Sequence, residues 1–89
     1  MSQLPLHLII LGASGDLTAR KLVPSLFRLW LKKRLPDQLR IVGVSRTALG
    51  IEGFRTRMAD AVKQFAAKEW SEASWTEFAQ RLYYAQGDA

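Results

Sequence analysis

The sequence predicts an α/β fold with a parallel sheet, and three observations lead to this expectation. An apolar stretch at residues 6–11 runs directly into a glycine turn at residues 12–15. A long segment with apolar residues at helical spacing follows the turn. A second apolar and β-branched stretch then occupies residues 40–45. Strand, helix and strand in this order form a βαβ unit whose two strands lie parallel.

The first strand and helix follow from simple patterns. Residues 6–11 are apolar except for His7, as in a strand that is buried on both faces. We expect His7 to be an ordinary residue at the strand's entry, because ligands gather at the carboxyl ends of such strands. Pro24 should kink the helix or begin its main segment, which leaves residues 18–23 as a looser first turn. The predicted buried stripe comprises Leu22, Leu26, Leu29 and Trp30, widened by Val23, Phe27 and Leu31.

The second half of the chain predicts two more helices and a third strand. Gly43 in the second strand permits close packing of a helix. A second amphipathic helix is predicted from apolar residues three and four apart: Ile51, Phe54, Met58, Val62 and Phe65. Ser74 and Glu77 have the spacing of a capping box and predict the start of a short third helix. Residues 82–85 fit either the end of that helix or a strand, and the aromatic pair before Gln86-Gly87 favours a strand.

Composition limits the possible functions. The 89 residues, 48% of them hydrophobic, fit one small globular domain or part of a larger one. Without cysteine, and with a single histidine, the chain offers no disulfide, thiol nucleophile or zinc site. The first residues lack the positive charge of a secretory signal, and no apolar run is long enough for a membrane span. We therefore expect a cytoplasmic protein without a membrane partner and without a metal.

The net charge of +5 favours phosphorylated small molecules or nucleic acids as ligands. The densest cationic cluster, residues 32–34, is expected to be a solvated helix end, where cations suit the negative end of the helix dipole. No nucleic-acid partner is therefore predicted.

The glycine turn is the predicted ligand site. Glycines allow the backbone to approach a ligand, and the amide groups at the start of the next helix favour a phosphate. The pattern is G-x-x-G-x-L, and Ser14 replaces the second glycine of the full dinucleotide fingerprint. Asp16 fits a helix cap or first-turn acid. Lys21, one helical turn later, either reaches a phosphate or lines the surface.

Arg46, directly after the second strand, points to NADP. An acidic residue at this place accepts a hydrogen bond from the ribose 2′-hydroxyl of NAD, whereas a basic residue accommodates the 2′-phosphate of NADP. Here the strand ends in Ser45-Arg46-Thr47, without an acid. The hydroxyls of Ser14 and Thr47 can add donors. The simpler interpretation is that Arg46 is an exposed residue of a connecting loop.

Two stretches, GASGDLTARKLVPSLFRLW and RIVGVSRT, closely resemble the N-terminal coenzyme domain of the glucose-6-phosphate dehydrogenases. The resemblance is strong over residues 8–47 and returns faintly at residues 83–88. It implies that residues 1–89 form the N-terminal part of an NADP-binding, Rossmann-like domain whose sheet is incomplete, in a homo-oligomeric enzyme. It also implies the coenzyme-binding residues Gly12, Ala13, Ser14, Gly15, Asp16, Leu17, Thr18, Ala19 and Arg46.

The resemblance further implies the reaction. Such enzymes transfer hydride from C1 of glucose 6-phosphate to NADP and form phosphogluconolactone, in the pentose phosphate pathway. The family's catalytic histidine, its Asp-His-Tyr-Leu-Gly-Lys motif and its large antiparallel domain are expected outside this chain. We therefore assign no catalytic residue here and expect the isolated chain to be inactive. Its sheet should also have an unprotected edge that invites association.

Two alternative interpretations stay open at this stage. One is a different NAD(P)-dependent α/β oxidoreductase, such as a short-chain reductase, which should carry a Tyr-x-x-x-Lys motif further along. The other is a basic, non-catalytic module that binds nucleotides or nucleic acid through Lys32, Lys33 and Arg34.

Overall fold

A computed structural model describes residues 6–87 of the chain. It has one sheet of three parallel strands, β1 (Leu6–Leu11), β2 (Leu39–Ser45) and β3 (Leu82–Gln86), in the spatial order β1-β2-β3. The helices are α1 (Val23–Leu31), α2 (Gly50–Phe65) and α3 (Glu72–Ala79), and a π-helical turn (Thr18–Leu22) leads into α1. The incomplete Rossmann-like α/β fold is thus confirmed, including the third strand. Asp88, the last residue of the predicted resemblance, lies outside the described residues.

The core lies on one face of the sheet. Ile10, Ile41 and Leu82 point to that face from the three strands and pack against buried residues of all three helices. The aromatic side chains of α1 and α3 form the centre of this layer, where the rings of Phe27 and Phe78 meet edge to face at 5.3 Å. Aromatic pairs in this arrangement add to the burial of their area.

The opposite face of β1 is exposed, so the prediction that this strand is buried on both faces was wrong. Ile9 and Leu11 are 58% and 64% exposed. β1 pairs only with β2 within residues 6–87, and the described helices pack on the other face. β1 is therefore an edge strand here, and the predicted unprotected edge is present.

Pro24 explains how the first helix begins. It is within the first two residues of α1, and the Val23 amide donates to the carbonyl of Thr18, five residues earlier. Proline lacks an amide hydrogen and its ring crowds the carbonyl four residues before it, which favours a wider turn at this point. The predicted loose first turn before Pro24 is thus confirmed.

The buried stripe of α1 differs from the predicted one. Val23 and Phe27 are fully buried, whereas Leu22 and Leu29 are 42% and 37% exposed. Leu26, Trp30 and Leu31 are partly buried against the core, so the stripe is centred on Val23 and Phe27, which the prediction placed at its margin. The rotation of the helix against the sheet decides which part of a broad apolar face is buried.

The cap of α3 also differs from the prediction. The Ser71 hydroxyl accepts a hydrogen bond from the Ser74 amide at 3.1 Å, so the N-cap is Ser71 and not Ser74. Both serines have a suitable side chain, but the chain is extended at Ser71, as an N-cap requires, and is already helical at Ser74. Leu82, which also fits the helical spacing, begins β3.

The cationic cluster is at the C-terminal end of α1. Lys32, Lys33 and Arg34 are all exposed, and Lys33 has a left-handed backbone with φ of 58°. The Arg34 amide donates to the carbonyl of Leu29 at 2.9 Å, so the helix ends there. The prediction of a solvated helix end is confirmed. Between residues 6 and 87, no helix has the length and apolar content needed to cross a membrane.

Gly43 allows the turn after β1 and helix α2 to meet over the central strand. A Cβ at Gly43 would lie 2.7 Å from the Cβ of Ala13 and 2.8 Å from the Phe54 ring. Real Cβ atoms almost never approach so closely, so either the turn or the helix would have to move. The predicted close packing at Gly43 is confirmed.

We expect Gly43→Ala to lower the free energy of unfolding by about 1–3 kcal/mol, because overpacking a core displaces its neighbours. Gly53→Ala is the matched control. A Cβ at Gly53, within α2, would make an ordinary 3.6 Å contact with Leu49. That change should stabilise the protein by about 0.5–1 kcal/mol, since alanine favours a helix over glycine. Urea unfolding followed by circular dichroism measures both, and equal stability of the two variants would contradict the packing account.

Candidate functional site

The glycine turn leaves β1 through a backbone that requires glycine. Gly12 has a φ of +69°, and a Cβ there would meet open space. Glycine is therefore required by the left-handed backbone conformation and not by a lack of room for a side chain. The Gly15 amide donates to the Gly12 carbonyl at 2.9 Å and closes the turn. A Cβ at Gly15 would lie 3.1 Å from that carbonyl oxygen. The turn is therefore tight, and its outer surface at Gly12 is open.

Ala13 anchors the turn to the central strand. Its side chain is fully buried, and its amide donates to the Val44 carbonyl at 3.0 Å. The amides of Ala13 and Gly15 are thus used within the protein. The first amides of the following helix, at residues 16–18, have no intrahelical acceptor one turn earlier, which makes them the natural donors to an anion.

The remaining predicted residues of this segment divide into exposed and inward-facing groups. Asp16 is exposed and pairs with Arg20 one turn later at 3.4 Å, which fits a first-turn acid. Leu17 is 66% exposed beside the turn. Thr18 is buried, and Ala19 packs against the core, so their side chains support the helix and only their backbone faces the turn's ligand side.

The loop after β2 lies beside the glycine turn. The Thr47 hydroxyl donates to the Ser14 hydroxyl at 3.2 Å, which joins the two loops directly. Arg46 is exposed between Ser45 and Thr47. The structure therefore brings the turn and Arg46 to one end of the sheet, the carboxyl end of β1 and β2 where ligands of parallel sheets bind.

A hydrogen-bonded ring holds the second loop, and sequence reasoning missed it. The Thr47 amide donates to the Ser45 hydroxyl at 3.2 Å, and the Tyr84 hydroxyl donates to the Thr47 carbonyl. Tyr84 and Ser45 also share a hydrogen bond. Since the single proton of Tyr84 is engaged by Thr47, Ser45 is the donor to Tyr84. The predicted third strand was the only available signal, because it places Tyr84 beside β2.

Several cavities lie away from the turn. A cavity of about 410 Å³ on the first helix is lined by Arg20, Lys21 and Arg28. Arg28 is already bound there to Glu69 and to the Phe65 carbonyl. Lys21 is exposed on this surface.

A larger cavity, about 870 Å³, lies at the amino ends of β2 and β3. Its lining residue Arg81 donates to the carbonyls of Asp37 and Leu39 and so holds the connection before β2 in place. This cavity is at the opposite end of the strands from Arg46. It therefore does not belong to the candidate site.

Comparisons with known proteins agree with this arrangement. The family model described as the NAD-binding domain of glucose-6-phosphate dehydrogenase matches residues 9–89. The glucose-6-phosphate 1-dehydrogenase of Treponema pallidum is 47% identical over 85 residues, and that of Chlamydia pneumoniae is 45% identical over 84. Each alignment covers 94% of this chain and 16% of the relative.

Solved structures give the same result. Glucose-6-phosphate 1-dehydrogenase from Mycobacterium avium superimposes with a TM-score of 0.83 at 28% identity, covering 98% of this chain and 18% of that protein. A glucose-6-phosphate dehydrogenase solved in complex with glucose 6-phosphate gives 0.80 at 29% identity, with the same coverage. These matches favour the dehydrogenase interpretation over the reductase and nucleic-acid alternatives. The chain spans about a sixth of the length of its curated relatives, and it belongs to the glucose-6-phosphate dehydrogenase family, in the region of the NAD-binding domain.

Proposed function

We propose that this chain binds NADP as the coenzyme-binding part of a glucose-6-phosphate 1-dehydrogenase. The observation that carries the proposal is the direct contact between the two loops: Thr47 and Ser14 are 3.2 Å apart. Because this contact joins the glycine turn to the loop that carries Arg46, it supports a single site for a dinucleotide and its 2′-phosphate. The coenzyme's role in the reaction is to accept the hydride that leaves C1 of glucose 6-phosphate.

The residues present fit a dinucleotide. The open surface at Gly12 lets a pyrophosphate approach the backbone, and the helix start at residues 16–18 supplies donors and a positive dipole end. We propose that Gly12, Ala13, Ser14, Gly15, Asp16, Leu17, Thr18 and Ala19 form this part of the site. The side chains of Ala13, Thr18 and Ala19 face the core. The amides of Ala13 and Ala19 donate to the Val44 and Gly15 carbonyls, so these two residues shape the turn and the Thr18 amide is the proposed donor among the three.

Arg46 supports NADP in preference to NAD. A guanidinium can form two parallel hydrogen bonds to a phosphate and can stack on adenine. An acid that would select the unmodified ribose is absent from residues 45–47. We therefore propose that Arg46 binds the 2′-phosphate.

We propose that residues outside this chain bind glucose 6-phosphate and remove the proton from its C1 hydroxyl. Within residues 6–87 the only histidine, His7, is near the amino end of β1, far along the strand from the coenzyme turn. The role of this chain's residues is then to bind and orient the coenzyme.

The cytoplasmic location and the homo-oligomeric state predicted from the sequence belong to the same proposal. A charged sugar phosphate does not cross a membrane unaided, which supports a cytoplasmic enzyme. The exposed residues Ile9 and Leu11 support a protein contact on the bare face of β1.

Titration of the 89-residue chain with NADP and NAD tests the coenzyme assignment. We expect Arg46→Ala to weaken NADP binding by about 10–100-fold, the cost of charge-assisted hydrogen bonds, and to leave NAD binding unchanged. Arg57→Ala, at an exposed arginine of α2, is the control for the loss of one positive charge. Equal affinities for both coenzymes in all three proteins would remove Arg46 from the site.

We expect the purified chain to give no NADPH when it is mixed with NADP and glucose 6-phosphate, because the residues that bind and deprotonate the sugar are proposed to lie elsewhere. Absorbance at the NADPH band measures this directly, with a full-length relative as the positive control. Sustained production of NADPH above a blank without sugar would contradict the division of roles.

A further inference from the structure

We infer that Tyr84 is a positioning residue for the loop at residues 45–47, the proposed 2′-phosphate loop, and thereby contributes to the choice of NADP over NAD. The inference rests on the proposed function, because it concerns the loop that carries Arg46. Tyr84 belongs to β3, which is not part of the glycine turn or of the loop after β2. Its hydroxyl nevertheless contacts that loop directly.

The hydroxyl of Tyr84 closes a ring of three hydrogen bonds around the peptide groups of the loop. The ring runs from the Thr47 amide to the Ser45 hydroxyl, from there to the Tyr84 hydroxyl, and back to the Thr47 carbonyl. Each hydroxyl in it acts once as donor and once as acceptor, so all proton positions are determined. Ser45 is only 7% exposed, so its hydroxyl is shielded from water, whereas the bond from Tyr84 to the Thr47 carbonyl lies at the surface.

Gln86, the last residue of β3, and Gly87 after it bind the carbonyls of the two peptide groups on either side of the Arg46 Cα. The Gln86 side chain donates from Nε2 to the Arg46 carbonyl at 3.3 Å, and the Gly87 amide donates to the Ser45 carbonyl at 2.8 Å. The backbone on both sides of Arg46 is therefore fixed by the end of β3 and the residue that follows it. A loop fixed before binding loses less conformational entropy when its arginine engages a phosphate.

The aromatic side chain of Tyr84 also packs in the core, and the test has to separate this packing from the role of the hydroxyl. It packs on Phe54 of α2 with ring centroids 5.3 Å apart. Tyr84→Phe keeps this packing and removes only the hydroxyl. Tyr83 supplies the control: its aromatic ring lies near the guanidinium groups of Arg40 and Arg55, and its hydroxyl is not part of the hydrogen bonds that join Ser45, Thr47 and Tyr84.

The experiment compares NADP and NAD affinities, and the hydrogen exchange of the Thr47 amide, in the wild-type chain, Tyr84→Phe, Tyr83→Phe, Arg46→Ala and the Arg46→Ala/Tyr84→Phe double variant. We expect Tyr84→Phe to accelerate exchange at Thr47 and to weaken NADP binding by about three- to tenfold, the range for one lost hydrogen bond, without changing NAD binding. Tyr83→Phe should match the wild type. The double variant should bind NADP no more weakly than Arg46→Ala, because both changes act through one arginine.

The possible failures are distinguishable. If Arg46→Ala weakens NADP binding but Tyr84→Phe does not, the positioning role is overturned and the proposed function stands. Unchanged exchange at Thr47 in Tyr84→Phe, or an equal loss of NADP and NAD binding, overturns it as well. If the wild type binds both coenzymes alike and Arg46→Ala alters neither affinity, the proposed function fails and the inference fails with it.

Discussion

Gly43 lies where the glycine turn, the central strand and α2 meet, and the packing there leaves no space for a side chain at this position. The Cβ of Ala13 and the ring of Phe54 occupy the space that a Cβ at Gly43 would need, at 2.7 and 2.8 Å. Because Ala13 is in turn bound through its amide to Val44, the neighbouring residue of β2, the turn has one position relative to the strand. The location of the proposed phosphate-binding surface follows from this packing.

The same strand sets the second half of the site. β2 pairs with β1 on one side and with β3 on the other, so its carboxyl end lies between the turn that follows β1 and the end of β3. Ser14 contacts Thr47 from the first side, and Tyr84 contacts it from the second. The proposed 2′-phosphate loop is therefore supported from both neighbouring strands, which is how a short exposed loop can hold an arginine in a defined place.

Much of this arrangement was predictable from the sequence, because local patterns determine it. The apolar run before Gly12 predicted β1 with its observed bounds. The β-branched run before Arg46 predicted the end of β2 and so placed Arg46 at the carboxyl end of the sheet. The buried stripe of α1 was misplaced because the helix has a broad apolar face, and only its packing against the sheet decides that Val23 and Phe27 are the fully buried residues. The exposure of Ile9 depends on what covers the sheet, and the Tyr84 hydrogen bonds depend on strand neighbours, so both are properties of the tertiary structure.

The central claim is that the glycine turn and the Arg46 loop form one coenzyme site at the carboxyl end of the sheet. Amide chemical shifts of the isotope-labelled chain, followed by NMR during titration with NADP, test it residue by residue. We predict that NADP causes the largest shift changes at residues 12–18 and 45–47. NAD should cause similar changes at residues 12–18 but only small ones at residues 45–47. Changes centred instead on the cavity at Trp30 and Arg81, at the opposite end of the strands, would contradict the account.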